Sequence, residues 1–314
     1  MTAPDIVISE FMDDAAVAGL AADFAVHYDP GLVDRRTELL ESLASARGLI
    51  VRNRTQVDTA LLDAAPRLVA VGRLGVGLDN IDVAACERRG VSVWPANGAN
   101  AGAVAEYVIT ALLMLFRGAF TATDRVAAGE WPRTELSGRE IAGKRLGLVG
   151  FGGIARLVAE KASVLGMEVA AYDPLVESAD AAWGMALRRP TLDELLAQSD
   201  AVSLHVPLAT DTRNLLDAAA LGRLPTGAIV INTSRGGILD EEALVAALRA
   251  GRLAGAALDV FSVEPVDAAA GGRFRDVPNL LLTPHIAGVT DESNRRVSAV
   301  TAAAVRRALG EAGS

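Results

Sequence analysis

The stretch Arg145–Pro174, RLGLVGFGGIARLVAEKASVLGMEVAAYDP, leaves this chain few folds to choose from. It opens on an apolar run, Leu146–Val149, short enough for a buried strand. Gly150-Phe151-Gly152-Gly153-Ile154-Ala155 then fits the pattern G-x-G-x-x-G/A, a helical pattern runs to Leu165, and a second apolar run ends at Asp173. Gly150 permits a tight turn, Gly152 lets a pyrophosphate approach the backbone, and the small Ala155 lets helix and strand pack closely. Gly153 and Ile154 open the helix, whose free N–H groups and positive dipole end face phosphates. Asp173 follows Gly152 at about the 20-residue spacing at which a carboxylate meets the adenosine ribose hydroxyls. Glycine turns are common between strands and helices. Strand, turn, helix, strand and terminal acid together predict a dinucleotide site.

A chain of 314 residues exceeds a comfortable single core, so two domains are expected. With 51% hydrophobic residues and alternating strand and helix patterns, it reads as a soluble α/β protein. The net charge of −9 argues against nucleic acid or an anionic membrane as partner. Cys86 is the only cysteine, which excludes an intrachain disulfide and fits a reducing compartment. Acidic Asp5 stands where a signal peptide wants basic residues, and the apolar stretch Tyr107–Phe116 is too short for a bilayer. It reads as a buried helix, and the expected address is the cytoplasm.

Residues 1–98 make a first α/β unit, with strands expected at Asp5–Ser9, Phe24–Tyr28, Leu49–Arg52, Leu68–Val71 and Val91–Trp94. Helical patterns lie between them, at Thr37–Ala46 and Ile81–Arg89 for example. Arg52-Asn53-Arg54-Thr55 and Gly72-Arg73-Leu74-Gly75-Val76-Gly77 follow strands, where open parallel sheets bind ligands. Read from spacing alone, both are equally well explained as polar surface turns. Small residues at Pro95–Asn100 mark a crossover, and a long helix is expected from Ala101 to Ala128. Glu130-Trp131-Pro132-Arg133 follows, an aromatic and an arginine on a projecting loop. Beyond Asp173 the rhythm continues: a helix at Thr191–Gln198, strands at Ala201–Val206 and Gly227–Thr233, a helix at Glu241–Ala250, strands at Ala254–Val260 and Asn279–Thr283. A last helix, Glu292–Leu309, has room to return to the first domain, giving residues 1–98 plus 289–314 and residues 99–288. His27 lies in an early strand and is read as structural.

Strand ends of the second half each deliver a polar side chain: Asp173, His205, Arg235 and Asp259, then Glu264 and His285. An arginine clamps a carboxylate with two hydrogen bonds and polarises a neighbouring carbonyl. A histidine exchanges the proton of a carbinol oxygen near neutral pH, and a glutamate bonded to it favours the imidazolium. With a nicotinamide cofactor for the hydride, this set interconverts a 2-keto acid and a 2-hydroxy acid.

These residues stand in six motifs: Gly72–Asp82 (GRLGVGLDNID), Gly147–Ala155, His205-Val206-Pro207-Leu208, Asn232–Asp240 (NTSRGGILD), Ala257–Pro265 (ALDVFSVEP) and Thr283–Gly288 (TPHIAG). In this order they resemble the D-isomer-specific 2-hydroxyacid dehydrogenase family over essentially the full chain. The resemblance implies an α/β fold of two Rossmann-like, doubly wound parallel-sheet domains with a cleft between them, the first flavodoxin-like, and a homodimer. It implies NAD as cofactor, no metal, and Arg235, Glu264 and His285 as substrate clamp, histidine partner and acid/base. It implies Asp259 beside the nicotinamide, and His205-Val206-Pro207 along the adenine pocket, with Thr212, Thr233 and Gly288 as further cofactor contacts. Backbone around Arg52–Arg54 and Val76-Gly77 is implied to hold the substrate carboxylate. Taken singly, His285, Glu264 and Arg235 each have a plain structural reading; the matched motifs favour the catalytic one.

Arg52, Arg54 and Arg73, with Arg133, give the substrate side positive charge, which points to a second anionic group: phosphate, sulfonate or carboxylate. Among relatives the chain resembles the short phosphoglycerate-dehydrogenase-like enzymes, including those oxidising (S)-sulfolactate. Many relatives carry arginine after the second glycine of the nucleotide turn; here it is Gly153, with Arg156 as the nearest substitute. Glu264 argues against the formate dehydrogenase branch. The alternative from another class is an NAD(H)-sensing binding protein like the corepressors built on this fold.

Overall fold

The computed structural model describes residues 3–311. Contacts divide the chain into two compact units, Met1–Asn100 with Val289–Ser314, and Ala101–Gly288.

In the first unit the described strands are β1 (Ile6–Ile8), β2 (Val26–Tyr28), β3 (Gly48–Val51), β4 (Ala70–Arg73) and β5 (Ser92–Pro95). They pair in parallel in the order β2-β1-β3-β4-β5. Helices α1 (Asp14–Ala21), α2 (Arg36–Ser42), α3 (Thr59–Ala64) and α4 (Val83–Arg88) connect them. Successive side chains of a strand point to opposite faces, and here both faces are apolar. Val7, Leu49 and Val51 pack with Leu39, Leu61 and Ala85. Ile6, Ile8 and Ile50 pack with Leu20 of α1 and with Val305 and Leu309 of the C-terminal helix Asp291–Glu311. That helix lies so close to β4 that a Cβ on Gly72 would sit 2.6 Å from Val305.

The second unit contains β6 (Arg145–Val149), β7 (Glu168–Tyr172), β8 (Leu187–Arg188), β9 (Ala201–Leu204), β10 (Ala228–Asn232), β11 (Leu253–Leu258) and β12 (Leu280–Leu282). Its parallel order is β12-β11-β10-β9-β6-β7-β8. Helices are α5 (Ala101–Arg117), α6 (Thr123–Ala127), α7 (Gly153–Val164), α8 (Leu192–Ala197), α9 (Ala218–Arg223), α10 (Glu241–Arg249) and α11 (Ala268–Gly271). Leu112 of α5 and Val158 of α7 cover one face with Leu146, Leu148 and Ile231. Leu195, Leu221 and Leu244, from α8, α9 and α10, cover the other with Val202, Val230 and Leu258.

The expected helix from Ala101 to Ala128 is corrected. It stops at Arg117 because Gly118 adopts a left-handed conformation (φ 63°), and a turn and α6 follow. Observed strand ends lie within two residues of the expected ones, on either side, and the two-residue β8 is too short to show a period. No described helix is long and apolar enough to cross a membrane. Each sheet reverses its winding once, at β1/β3 in the first unit and at β6/β9 in the second. Such reversals leave a crevice beyond the strand ends.

Candidate active site

At the β6/β9 reversal the glycine turn meets the strand end that carries His205. Gly150 has φ 86°, and a Cβ there would lie 2.6 Å from the His205 carbonyl oxygen and 2.8 Å from Val206. The His205 N–H donates to the Val149 carbonyl at 2.7 Å. Gly152 and Gly153, at the start of α7, have no atom within 4 Å of where a Cβ would stand, and Gly152 carries no capping side chain. The first N–H groups of α7 therefore face open space, with Ile154 behind them half-buried. The Asp173 carboxylate accepts the N–H groups of Phe151 (2.8 Å) and Leu175 (2.9 Å), tying the end of β7 to the turn. Two lone-pair sites on that carboxylate remain for ribose hydroxyls.

Two buried polar atoms at the neighbouring ends of β9 and β10 have no partner in the protein, His205 Nε2 and Thr233 Oγ1. Burial pushes the His205 imidazole down to about 4, so it is neutral at physiological pH. Orphaned polar atoms beside an open helix N-terminus and a ribose-spaced carboxylate fit a dinucleotide. The Thr212 hydroxyl donates to the Pro207 carbonyl at 2.6 Å and accepts the Ala209 N–H at 2.7 Å, closing the loop after Pro207. Arg156 donates Nε–H to the Phe151 carbonyl at 3.0 Å, and Phe151 stacks on Trp183 at 5.1 Å.

Arg235 follows β10 on a turn held by Asn232. The buried Asn232 amide accepts the Ser234 N–H at 3.0 Å and donates to the Arg235 carbonyl at 2.9 Å. After β11, the Phe261 N–H donates to Glu264 Oε1 at 2.8 Å, and Glu264 Oε2 lies 2.7 Å from His285 Nδ1. Burial pushes the Glu264 carboxyl up, but hydrogen bonds from His285 and the Phe261 amide, aided by the charges of His285 and Arg235, bring it below its ordinary value. Asp259, almost wholly buried, anchors the loop that carries His285. Its carboxylate accepts the N–H groups of Ile286 and Ala287, each at 2.8 Å, and the Thr283 hydroxyl at 2.6 Å. The His285 N–H donates to the Asp259 carbonyl at 2.8 Å, fixing His285 at φ 55°. Gly288 ends this loop. Since Thr283 donates to Asp259, the Tyr107 hydroxyl donates to Thr283, 2.6 Å away. Three neighbouring strand ends, those of β10, β11 and β12, thus bring Arg235, Asp259, Glu264 and His285 together within one unit.

In the first unit, Arg52 and Arg73 lie at the ends of neighbouring strands, with Val51 paired to Arg73. The buried Glu10 carboxylate at the end of β1 accepts the N–H groups of Arg52 (2.9 Å), Arg54 (3.1 Å) and Thr55 (3.0 Å). The Arg52 and Arg54 amides are thus taken up by Glu10. The Arg52 guanidinium donates to Asn294 at 3.1 Å, and Arg54, 59% exposed, pairs with Asp34. Arg73 folds back, donating to the Leu74 carbonyl at 3.0 Å. Asn53 and Val76 are exposed and Gly77 is half-buried. In the second unit Arg133 is exposed beside Trp131, with its N–H on the Trp131 carbonyl at 2.9 Å. Sequence reasoning missed Glu10, Asn232, Thr283 and Tyr107. Glu10 had a usable signal, an acid at the end of a strand next to a sheet reversal.

The family described as D-isomer specific 2-hydroxyacid dehydrogenase, NAD binding domain, matches residues 109–287. The chain is 56% identical over 306 residues to an (S)-sulfolactate dehydrogenase of Chromohalobacter salexigens, covering 98% of each. It is 38% identical to the D-3-phosphoglycerate dehydrogenase of Mycobacterium leprae across 98% of its own length, spanning 57% of that longer protein. Its fold superposes on the crystal structure of the TT0316 protein from Thermus thermophilus with a TM-score of 0.88 at 31% identity, covering 98% of this chain and 97% of the other. On these likenesses the chain belongs to the D-isomer specific 2-hydroxyacid dehydrogenase family, NAD-dependent oxidoreductases that act on the hydroxyl group of a 2-hydroxy acid.

Proposed function

We propose that this enzyme interconverts a 2-hydroxy acid carrying a second anionic group and its 2-keto acid, with 3-sulfolactate and 3-sulfopyruvate as the pair. The observation that carries the reaction is the hydrogen bond of 2.7 Å between His285 and Glu264. Support for the substrate comes from the 56% identity to an (S)-sulfolactate dehydrogenase over nearly the whole of both chains. Arg235 clamps the substrate carboxylate and polarises the neighbouring keto oxygen. Because Nδ1 of His285 faces Glu264, Nε2 carries the proton to that oxygen and takes it back in the oxidising direction. Glu264 fixes the tautomer and keeps the imidazolium available. NAD supplies the hydride exchange when bound. The turn Gly150–Gly153 with Ile154, Asp173, His205-Val206-Pro207, Thr233, Asp259 and Gly288 are assigned to hold it.

Arg52 and Arg73 are assigned to the distal anion, while Arg54 and Arg133 are exposed and contribute less. The cytoplasm and a homodimer belong to the same proposal, supported by the lone buried Cys86 and by exposed Phe120, Val126 and Trp131. The test is NADH oxidation with 3-sulfopyruvate, hydroxypyruvate and pyruvate. The expected order places 3-sulfopyruvate highest in kcat/KM. A preference for pyruvate would overturn the substrate reading.

A further inference from the structure

We propose that Glu241 is a positioning residue for the Glu264–His285 pair, acting through the peptide that joins Phe261 to Ser262. Glu241 is the first residue of α10 and is 8% exposed. A buried carboxylate is costly unless its oxygens are used. It is not needed as the helix cap, because the Asp240 side chain already accepts the N–H groups of Glu242 and Ala243, each at 3.0 Å. Its oxygens go instead to the loop after β11: Oε1 accepts the Ser262 N–H at 2.6 Å, and Oε2 accepts the Ser262 hydroxyl at 3.0 Å. Arg273 stands 3.4 Å from the same Oε2.

One residue earlier, the Phe261 N–H donates to Glu264 Oε1 at 2.8 Å. Consecutive amides of one loop thus hold two carboxylates, Glu264 facing His285 and Glu241 behind. The loop is pressed from a second side. Gly236 directly follows Arg235, and a Cβ on it would lie 1.8 Å from the Phe261 carbonyl oxygen and 2.5 Å from the Ser262 nitrogen. The turn that carries Arg235 therefore rests on the same peptide. If that peptide shifts, the Arg235 turn loses its seat, and the preceding peptide, which presents the Phe261 N–H to Glu264, is displaced through the Phe261 Cα that the two peptides share. Release of Glu241 moves both groups without touching either.

This inference rests on the reading of Glu264 and His285 given above, so Glu264→Gln is measured in parallel. The assay is reduction of 3-sulfopyruvate and of hydroxypyruvate across pH, with NADH affinity from fluorescence and folding from thermal melts. Glu241→Ala is expected to lower kcat about ten- to a hundredfold, the scale of a small misplacement of catalytic groups. Its alkaline limb should move to lower pH, because a loosened Glu264 favours the imidazolium less. NADH affinity should stay unchanged. Glu241→Gln keeps an acceptor for the Ser262 N–H and should recover most of the rate. In the double variant Glu241→Ala/Glu264→Gln the loss should be clearly smaller than the product of the two single losses, because the part that runs through Glu264 is already gone. An unshifted pH profile with a lowered melting temperature, or additive losses in the double variant, would make Glu241 merely structural. Should Glu241→Ala fail to fold, Glu241→Gln and Ser262→Ala must show a smaller shift of the same sign, and no shift overturns the inference. If Glu264→Gln is itself without effect, it is the reading of the pair that fails.

Discussion

Glu264 stays ionised because hydrogen bonds and positive charge outweigh the cost of its burial, which acts in the opposite direction. In the proposed reaction that charge favours the imidazolium form of the histidine it faces. Glu264→Gln should therefore fold normally and weaken keto-acid reduction first on the alkaline side; kcat/KM against pH checks it, and an unchanged profile and rate would remove the pairing. His205 has the reverse problem. Burial holds its pKa at about 4, while an unfolded chain takes up that proton from about pH 6.5 downward. Between those values the unfolded state binds more protons, so stability is full above the unfolded pKa and falls as pH drops toward the folded one. The loss attributable to this residue, complete once pH reaches the folded value, is on the order of 3 kcal/mol. Urea unfolding at neutral and mildly acid pH should show a flatter pH dependence in His205→Gln than in the wild type.

Among the elements, the turns at strand ends decide what each glycine is for. Gly152 has ordinary backbone (φ −77°) and open space around it, so alanine there is tolerated by the fold and intrudes only on a ligand. Gly152→Ala should keep its melting temperature and weaken NADH binding about tenfold, by filling the space that lets a pyrophosphate approach. Gly236 is the opposite case, with no room for a Cβ against the Phe261 carbonyl. Gly236→Ala should cost about 1–3 kcal/mol of stability through overpacking and lower kcat/KM about a hundredfold by parting the two catalytic loops. Comparable NADH affinity in both variants, measured by titration, would contradict the contrast.

For the whole molecule, substrate and cofactor choice follow from where charge is placed in an acidic chain of net charge −9. Asp173 at the end of β7 repels a 2′-phosphate, so NADH should be strongly preferred; comparable kcat/KM with NADPH would refute this. The sequence treats Arg52, Arg54 and Arg73 alike, but the structure separates them. Arg54 is mostly in solvent beside Asp34, and such an exposed pair contributes little. Arg73→Ala should cost about 2–5 kcal/mol in kcat/KM for 3-sulfopyruvate and little for pyruvate, while Arg54→Ala should barely affect either. The quantity to compare is the ratio of the two losses, because general damage lowers both. Equal losses for both acids would return Arg73 to a structural role.

The sequence by itself determined the alternation of strand and helix and the glycine turn after β6, and it marked Arg235, Glu264 and His285 as polar side chains at or just beyond strand ends. Those are local matters: an apolar run of strand length, a backbone that only glycine permits, and side chains at strand ends. What it could not determine depends on partners distant along the chain. The amides of Arg52 and Arg54 read as anion donors until the fold brings Glu10 from β1 to the end of β3. The bond from the Thr212 hydroxyl to the Pro207 carbonyl likewise depends on how the folded loop turns. Glu241 reads as one more acid in a helix's first turn, and only the packing of α10 against the loop after β11 buries it on Ser262. A hydrogen bond needs its atoms about 3 Å apart, and which residues of an open sheet reach that distance is decided by strand order, a property of the folded chain alone.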